Sequence, residues 1–350
     1  MTETKVEKKH PIQESENEEF TLRPLNLKQD FEELIPFYDQ IFEKELSAKG
    51  ASVRAMLSEM KAFMPFFRFM GLFSKNFRHV LDGFVYENSK GKIVSTVNIG
   101  YSGNFWEIAM VATHPDFRRR GLAKKLIFES LDHAKKHDAK MCVLEVLEEN
   151  EPAYRLYRNL GFHHFDTRIK MRLKNNKLTS TDKQELPTGY SIKIRKQDKQ
   201  TGIDMYELEK CATPQSVLDY LPVNKIKYQK PFLMRLIRPF VKLFIRMKSF
   251  RWTIHYKDRI VGILFVSVGR SKDSCHDMEL IVDPKHREEI TQPLISYALN
   301  HIKDNTSFDL NTITMIRKVD EYLLETLNNF GFATFETDHI LGLKFHKNVK

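Results

Sequence analysis

The chain has 350 residues, of which 41% are hydrophobic, and this length and apolar content suit two ordinary domains. Its cysteines (Cys142, Cys211 and Cys275) are odd in number and widely separated, which argues against a disulfide framework or a CxxC metal motif. The first ten residues lack the apolar core of a signal peptide, and no later run has the length of a membrane span. We therefore expect a cytoplasmic protein without a membrane span, and its net charge of +10 suits an anionic partner.

Local composition divides the chain into four segments. Residues 1–19 carry few apolar side chains, which predicts a disordered tail. Residues 174–187 are almost entirely polar and end in Pro187, which is typical of a linker. We therefore expect a first domain over residues 20–173 and a second over residues 188–350.

Hydrophobic periodicity in the first domain predicts a mixed α/β fold. The expected order is a strand at 20–24, helices at about 31–46 and 53–63, two strands joined by a turn near 88–91, a strand at 106–113, an amphipathic helix at 122–137, a strand at 140–147, a helix at 151–159 and a closing strand pair through 172.

An Arg-rich turn, Phe-Arg-Arg-Arg-Gly-Leu-Ala at residues 117–123, lies between the strand at 106–113 and the helix at 122–137. Gly121 allows a sharp turn, Ala123 permits close approach, and the following helix offers unpaired N–H groups to an anion. The pattern predicts a phosphate site supported by Arg118, Arg119 and Arg120. A solvated basic loop is the alternative.

The residues downstream of this turn make the pattern specific. The turn is followed, in order, by Glu145, Asn150, Ala153, Tyr157 and Leu160-Gly161-Phe162. This order and spacing resembles the GNAT family of acetyl-CoA-dependent N-acetyltransferases. The resemblance implies a GNAT fold with a mixed sheet and acetyl-CoA as the acetyl donor.

The same resemblance assigns cofactor-binding positions. Backbone groups from Arg119 through Leu122 to Ala123 would hold the CoA pyrophosphate. The strand before the turn would splay from its neighbour, so that Met110 and Val111, followed by Ala112 and Thr113, line the pantetheine arm and polarise the thioester carbonyl. Tyr154 and Tyr157 lie beside this arm, and Asn150 contacts it in the family, although Asn150 is equally suited to cap a helix.

Acetyl transfer also needs a base, because an ordinary amine with a pKa of about 10.4 is protonated at neutral pH. Glu145 is the first candidate, since it interrupts an apolar run and its spacing to Tyr157 resembles that of GNAT enzymes acting on ribosomal protein N-termini. An exposed glutamate or an ion pair with a structural arginine is the alternative, and Glu107 is the second candidate base. Tyr157 is the predicted general acid, ahead of Tyr154; simple aromatic packing is the other interpretation.

The second half matches the first in an ordered series of motifs, of which the later ones are offset by 169 to 170 residues, and it lacks the site residues. An unrelated α/β domain with accidental matches is the alternative. Ile290 aligns with Gly121, Met315 with Glu145 and Leu327 with Tyr157, so we expect a degenerate GNAT-like domain without a working cofactor site. The matching pairs are Phe77-Arg78 with Phe250-Arg251, His114-Pro115 with Asp283-Pro284, and 159–162 with 329–332.

Residues 225–251 contain nine basic and no acidic side chains, with apolar residues at helical spacing. This pattern predicts either a packed helix with a solvated basic face or a helix that contacts a polyanion or membrane surface. The histidines, including His133 and His137, show no ligand spacing with cysteine or carboxylate, and we predict no metal site.

These patterns and the GNAT resemblance together predict an acyltransferase that moves the acetyl group of acetyl-CoA directly to a primary amine. The amine would belong to a protein N-terminus, a lysine side chain or a small molecule. The alternative is a non-catalytic module that senses acetyl-CoA or binds a polyanion or membrane surface. The sequence does not distinguish a monomer from a homodimer.

Overall fold

The structure is a computed structural model that describes residues 19–48, 52–72, 75–80, 82–103, 105–174, 184–196, 198–229, 247–271 and 274–345. The predicted tail at 1–18, most of the predicted linker (175–183) and the centre of the basic segment (230–246) lie outside these residues. Within the described ranges, none of the helices combines the length and apolar composition that a bilayer crossing requires.

The first half of the chain follows the predicted order. Its elements are β1 Thr21–Pro24, α1 Leu27–Ala48, α2 Val53–Gly71, α3 Lys75–Arg78, β2 Asp82–Glu87, β3 Ile93–Tyr101, β4 Trp106–Thr113, α4 Leu122–Lys136, β5 Met141–Leu147, α5 Glu151–Asn159 and β6 His163–Leu173.

Two predictions for this half are wrong. α2 continues through Pro65 to Gly71, beyond the expected end at 63. Met60 and Met64 of α2 pack on a buried cluster with α1, and this apolar contact offsets the hydrogen bond that a proline removes from a helix. The predicted closing strand pair is one long strand, β6, because the partner of β6 comes from elsewhere in the chain.

The second half repeats this order. Its elements are β7 Tyr190–Ile194, α6 Lys199–Ala212, α7 Gln215–Leu218, α8 Lys225–Tyr228, β8 Met247–Tyr256, β9 Arg259–Gly269, β10 His276–Val282, α9 Arg287–Asn305, β11 Thr312–Arg317, α10 Glu321–Asn329 and β12 Ala333–Lys344.

The internal repeat is therefore confirmed at the level of elements, with one exception. Phe77 and Arg78 belong to the short helix α3, whereas Phe250 and Arg251 belong to strand β8, so that pair of motifs is not equivalent. The same strand corrects the end of the predicted basic helix, since residues 247–251 are extended.

The twelve strands of the described residues form one sheet in the order β1-β2-β3-β4-β5-β12-β6-β11-β10-β9-β8-β7. The last strand of each half lies in the other half of this sheet. β12 pairs antiparallel with β5, with Leu341 opposite Leu144, and β6 pairs antiparallel with β11, with Met171 opposite Thr314. The two halves have thus exchanged their final strands.

The exchange makes each hydrophobic core a joint product of both halves. Leu341 of β12 is fully buried against Ile108, Leu144 and the helices α4 and α5 of the first half. Met171 of β6 is fully buried in the core of the second half. Burying a side chain of this size stabilises a fold by about 1.5–3 kcal/mol, so each half depends on the other.

Candidate active site

The centre of the first half contains the predicted opening between two parallel strands. β4 pairs with β5 only from Trp106 to Ile108, and Ile108 opposite Leu144 is the last pair. Beyond this point β5 continues along β12, so β4 leaves its neighbour over residues 109–113. The polar backbone edge of β4 is available there for an extended ligand.

A β-bulge lies on β4 inside this opening. Thr96 pairs with Ala112 and Asn98 pairs with Ala109, so Met110 and Val111 together face the single residue Val97 of β3. Met110 has a φ of 50°, an unusual value for a residue with a side chain. Bulges redirect backbone groups out of the regular ladder, and this one changes the direction of the backbone at the two residues predicted to contact the thioester.

The remaining residues of this stretch tie β4 to β3. The Ser95 hydroxyl donates to the Ala112 carbonyl at 2.8 Å and lies 2.8 Å from the Thr113 hydroxyl. Ala112 is buried in the cluster that includes α1 and α2. These contacts hold the end of β4 in place at the entrance to the Arg-rich turn.

The turn itself has the backbone of an anion cradle. Arg119 and Gly121 both adopt the left-handed conformation, with φ of 63° and 76°, and Gly121 is the N-cap residue of the 15-residue helix α4. A Cβ atom built on Gly121 would meet no other atom within 4 Å. The unpaired N–H groups of the first turn of α4, from Leu122 and Ala123 onward, and the positive end of the helix dipole adjoin this open space.

The three arginines of the turn have different environments. Arg118 donates from Nε to the Thr113 carbonyl at 3.2 Å, which connects the turn to the end of β4. The Arg120 guanidinium lies over the rings of Phe117 and Phe20, 5.0 and 5.7 Å from their centroids. Arg119 is exposed. The turn therefore combines left-handed backbone and a helix N-terminus with three arginine side chains.

Helix α5 carries the predicted acid. Tyr157 is 5% exposed and packs with Ile108, Leu144 and Val146, the residues next to the opening between β4 and β5. Burial raises the pKa of Tyr157 to about 12, so the phenol keeps its proton at neutral pH. Tyr154 differs, since its hydroxyl lies 3.2 Å from His164 Nδ1 on β6.

Asn150 caps helix α5, which is one of the two roles predicted for this residue. Its side-chain oxygen accepts from the Ala153 N–H at 3.3 Å, while the side chain remains exposed. The cap fixes the start of α5 and so the position of Tyr157 two turns later.

The two candidate bases have different surroundings. Glu145 forms an ion pair with Arg168 of β6, with 2.7 Å between Oε1 and Nη1, which is the structural alternative weighed for this residue. Glu107 has no ion pair or hydrogen bond through its side chain among the described residues. Glu107 is an exposed residue, yet partial desolvation of its carboxylate, assisted by the charge of Glu145 and opposed by Arg168, raises the pKa of Glu107 above its usual range.

The opening between the parallel strands also occurs in the second half, where β10 pairs with β11 only from His276 to Met278. The described residues of the second half differ from the first at the bulge, at the turn and at two side chains. β10 pairs with β9 without a register shift, so it has no bulge. Helix α9 begins at Arg287, directly after the short 3₁₀ helix Pro284–His286, and Ile290 lies buried inside it, so the four-residue turn before α4 has no counterpart. Met315 and Leu327 occupy the places of Glu145 and Tyr157. The offset predicted from the sequence is therefore correct at these positions.

The structure also brings together three histidines that the sequence interpretation did not connect. His79, His133 and His137 each place a ring nitrogen within 4.8 Å of the other two. Asp82 joins the group through contacts with His79 and His133; their hydrogen bonds hold the pKa of Asp82 below its usual range despite the opposing effect of desolvation. The available signal was the four-residue spacing of His133 and His137, which places both on one helix face.

Comparison with known families identifies the first half. Residues 53–162 match the model of the acetyltransferase (GNAT) family, and these residues form a GNAT domain. Stretches of the chain are 41% identical over 69 residues to a mycothiol acetyltransferase of Acidimicrobium ferrooxidans and 35% identical over 63 residues to one of Thermobifida fusca. The matched stretches cover 22% and 20% of those proteins, about a fifth of their length.

Solved structures match the whole architecture. A tandem GNAT protein from the clavulanic acid biosynthesis pathway aligns with 94% of this chain and 100% of its own, at a TM-score of 0.61 and 14% identity. A GCN5-related N-acetyltransferase from Sphaerobacter thermophilus aligns with 94% of this chain and 97% of its own, at a TM-score of 0.63 and 11% identity. The chain thus has a tandem GNAT fold, as the sequence predicted.

Proposed function

We propose that this protein is an acetyl-CoA-dependent N-acetyltransferase with one active site, located in the first half. The observation that carries the proposal is the coincidence of the left-handed turn at Arg119 and Gly121 with the β4 bulge and the gap beside β5. Each feature has a place in binding CoA, and the second half lacks both the turn and the bulge.

The turn at 118–121 and the N-terminus of α4 would hold the pyrophosphate of acetyl-CoA, and the edge of β4 at Met110 and Val111 would bind the pantetheine arm. An N–H group at the bulge would stabilise the oxyanion that develops on the thioester carbonyl. The same geometry does not favour a particular acyl group, and the acetyl group is proposed from the family.

Glu107 is the better supported base. Its carboxylate is free of ion pairs among the described residues and its raised pKa makes it a stronger proton acceptor, while Glu145 is neutralised by Arg168. Glu107 takes the proton from the ammonium group, directly or through water. The amine nitrogen then bonds to the acetyl carbon, the carbon–sulfur bond breaks, and Tyr157 donates a proton to the departing CoA sulfur.

The acceptor is proposed to be a primary amine that enters over the sheet face carrying Glu107 and Glu145. The second half contributes β12, which supports β5, and so completes the fold of the catalytic half rather than supplying a second active site. The mycothiol acetyltransferases named above make small-molecule amines the first acceptors to test.

A thiol-release assay with purified protein tests the proposal. Acetyl-CoA is supplied with amino acids, amino sugars, polyamines, lysine peptides and N-terminal peptides in turn, and calorimetry measures acetyl-CoA binding in parallel. Binding together with amine-dependent CoA release supports a transferase. Binding without release from any acceptor supports an acetyl-CoA-sensing module, and absence of binding contradicts the proposal.

A further inference from the structure

The histidine cluster noted above lies at the opposite end of α4 from the Arg-rich turn. His133 and His137 are at the C-terminal end of that helix, and His79 is in the segment between α3 and β2. A helix of this length spans about 22 Å, so the cluster is remote from the proposed pyrophosphate site at the Arg-rich turn. It therefore needs an explanation of its own.

The three imidazole rings lie close together and pack against the buried side chain of Trp106. Their centroids are 4.5 Å apart for His133 and His137, 4.6 Å for His79 and His137, and 6.1 Å for His79 and His133. Trp106, which is 1% exposed, lies 5.3 to 5.6 Å from all three rings. A buried indole ring next to a polar cluster limits the water around that cluster and strengthens its electrostatic interactions.

Each ring has an oxygen acceptor on one of its nitrogens. His79 Nδ1 lies 2.7 Å and His133 Nε2 lies 2.9 Å from the same oxygen, Oδ2 of Asp82. His137 Nδ1 lies 2.9 Å from the His133 carbonyl oxygen. When each ring donates an N–H to its acceptor, the other nitrogen presents a lone pair and has no hydrogen-bond partner among the described residues.

This arrangement matches the supporting interactions of a metal-binding histidine, which donates its second nitrogen to a carboxylate or a backbone carbonyl. We propose that His79, His133 and His137 bind one divalent transition-metal ion, with Zn²⁺ as the best match to three imidazoles, and that Asp82 orients two of the ligands. Water completes the coordination, since His137 is exposed and leaves the site open on that side.

The geometry requires only small adjustments. Ligands bonded at 2.0–2.1 Å to a tetrahedral ion lie about 3.3 Å apart, so ring nitrogens separated by up to 4.8 Å must approach by at most roughly 1.5 Å. Rotation of the exposed His137 side chain can supply much of this movement. The bound ion would connect the segment between α3 and β2 to the end of α4, which is a structural role.

The test uses the full chain after removal of any affinity tag and treatment with chelator. We expect calorimetry to find one Zn²⁺ per chain, Co²⁺ to give the visible absorption of a tetrahedral site, and Zn²⁺ to raise the melting temperature. His133→Asn and His137→Asn should each abolish these effects, while Asp82→Asn should weaken Zn²⁺ binding by about 10- to 100-fold. His163→Asn, which changes an exposed histidine outside the cluster, should bind Zn²⁺ normally.

Two results would overturn the proposal. One is a dissociation constant of the unmodified protein weaker than about 1 mM, and the other is equal Zn²⁺ affinity in the unmodified protein and both ligand variants. Because His137 is exposed, His137→Asn is expected to fold, so the test remains decisive if His133→Asn does not. Affinity for acetyl-CoA should be the same with and without Zn²⁺, which separates this site from the proposed active site.

Discussion

At the scale of single residues, the proposed chemistry depends on the surroundings of two carboxylates, Glu107 and Glu145, that lie on neighbouring strands. Arg168 belongs to the exchanged strand β6 and pairs with Glu145, while Glu107 stays without an ion pair among the described residues and has a raised pKa. In the proposed mechanism this ion pair leaves Glu107 rather than Glu145 to act as the base. No local sequence pattern places Arg168 beside Glu145, because 23 residues separate them.

The pH dependence of turnover tests this division of roles. Glu107 must be deprotonated to act, so kcat/KM should fall as pH drops through a pKa that lies above the ordinary value of a glutamate. Arg168 lowers that pKa, so Arg168→Met should move this limb of the profile to higher pH.

The controls for this profile are Glu107→Gln and Arg259→Met. Glu107→Gln should lose about a hundredfold or more in kcat and no longer show the limb. Arg259→Met removes the same charge at an exposed position of the second half and should leave the profile unchanged. A limb that persists in Glu107→Gln would return the role of base to Glu145.

The buried phenol of Tyr157 gives a second prediction. Tyr157→Phe keeps the ring and its packing but removes the proton donor, so kcat should fall by about a hundredfold while acetyl-CoA affinity changes little. Tyr154→Phe is the matched control, since the Tyr154 hydroxyl lies against His164. Equal losses in both variants, or none in Tyr157→Phe, would contradict the assignment.

At the scale of elements, the two halves show which local features distinguish a CoA site from its degenerate copy. Both halves carry a short 3₁₀ helix and a long helix after the equivalent strand, yet only the first has a turn between them. The turn needs left-handed backbone at Gly121, where glycine is the residue without a steric penalty. In the second half the same stretch already belongs to helix α9 and contains no left-handed residue.

A pair of glycines with equal backbone geometry tests the turn. Gly121 and Gly91 have φ of 76° and 72°, and a Cβ on either would meet no atom within 4 Å. Valine at either position should cost a similar stability, on the order of 1–3 kcal/mol. Only Gly121→Val places its side chain in the proposed phosphate site.

Calorimetry measures the affinity of each variant for acetyl-CoA. Gly121→Val should lower affinity at least about tenfold, equivalent to 1.4 kcal/mol, and Gly91→Val should bind as the unmodified protein does. Equal affinities in the two variants would exclude the turn from CoA binding.

At the scale of the whole molecule, the exchange of β6 and β12 makes the halves a single folding unit. Each final strand is hydrogen-bonded on both sides to strands of the other half, and its apolar side chains fill the core of the half to which it does not belong in sequence. A domain boundary drawn in the linker therefore separates the sequence but not the cores. Neither half can complete its own sheet alone in this arrangement.

Calorimetric unfolding should accordingly show one transition. Leu341→Ala and Met171→Ala each leave a cavity in a core shared by the two halves, and each should destabilise the whole protein by about 2–5 kcal/mol. Leu72→Ala, at a side chain that is 71% exposed, should have little effect. Two separate transitions, with each variant shifting only one of them, would contradict the single folding unit.

Most local elements, and the residues proposed for the active site, could be predicted from short stretches of sequence. Strand β4, the Arg-rich turn and helix α5 are each specified by contiguous residues, because periodicity, a turn glycine and a helix cap act over a few positions. The spacing of Gly121, Glu145, Asn150 and Tyr157 identified the GNAT resemblance, and the constant offset between the halves revealed the tandem fold.

Contacts between residues that are distant in sequence could not be predicted in this way. The partner of β6, the pairing of Glu145 with Arg168 and the meeting of His79 with His133 and His137 all depend on which strands become neighbours. A strand with alternating apolar residues is equally suited to either half of the sheet, so no local sequence pattern predicts the exchange of β6 and β12. Its consequences for the base, the cores and the histidine cluster emerge once the two halves pack together.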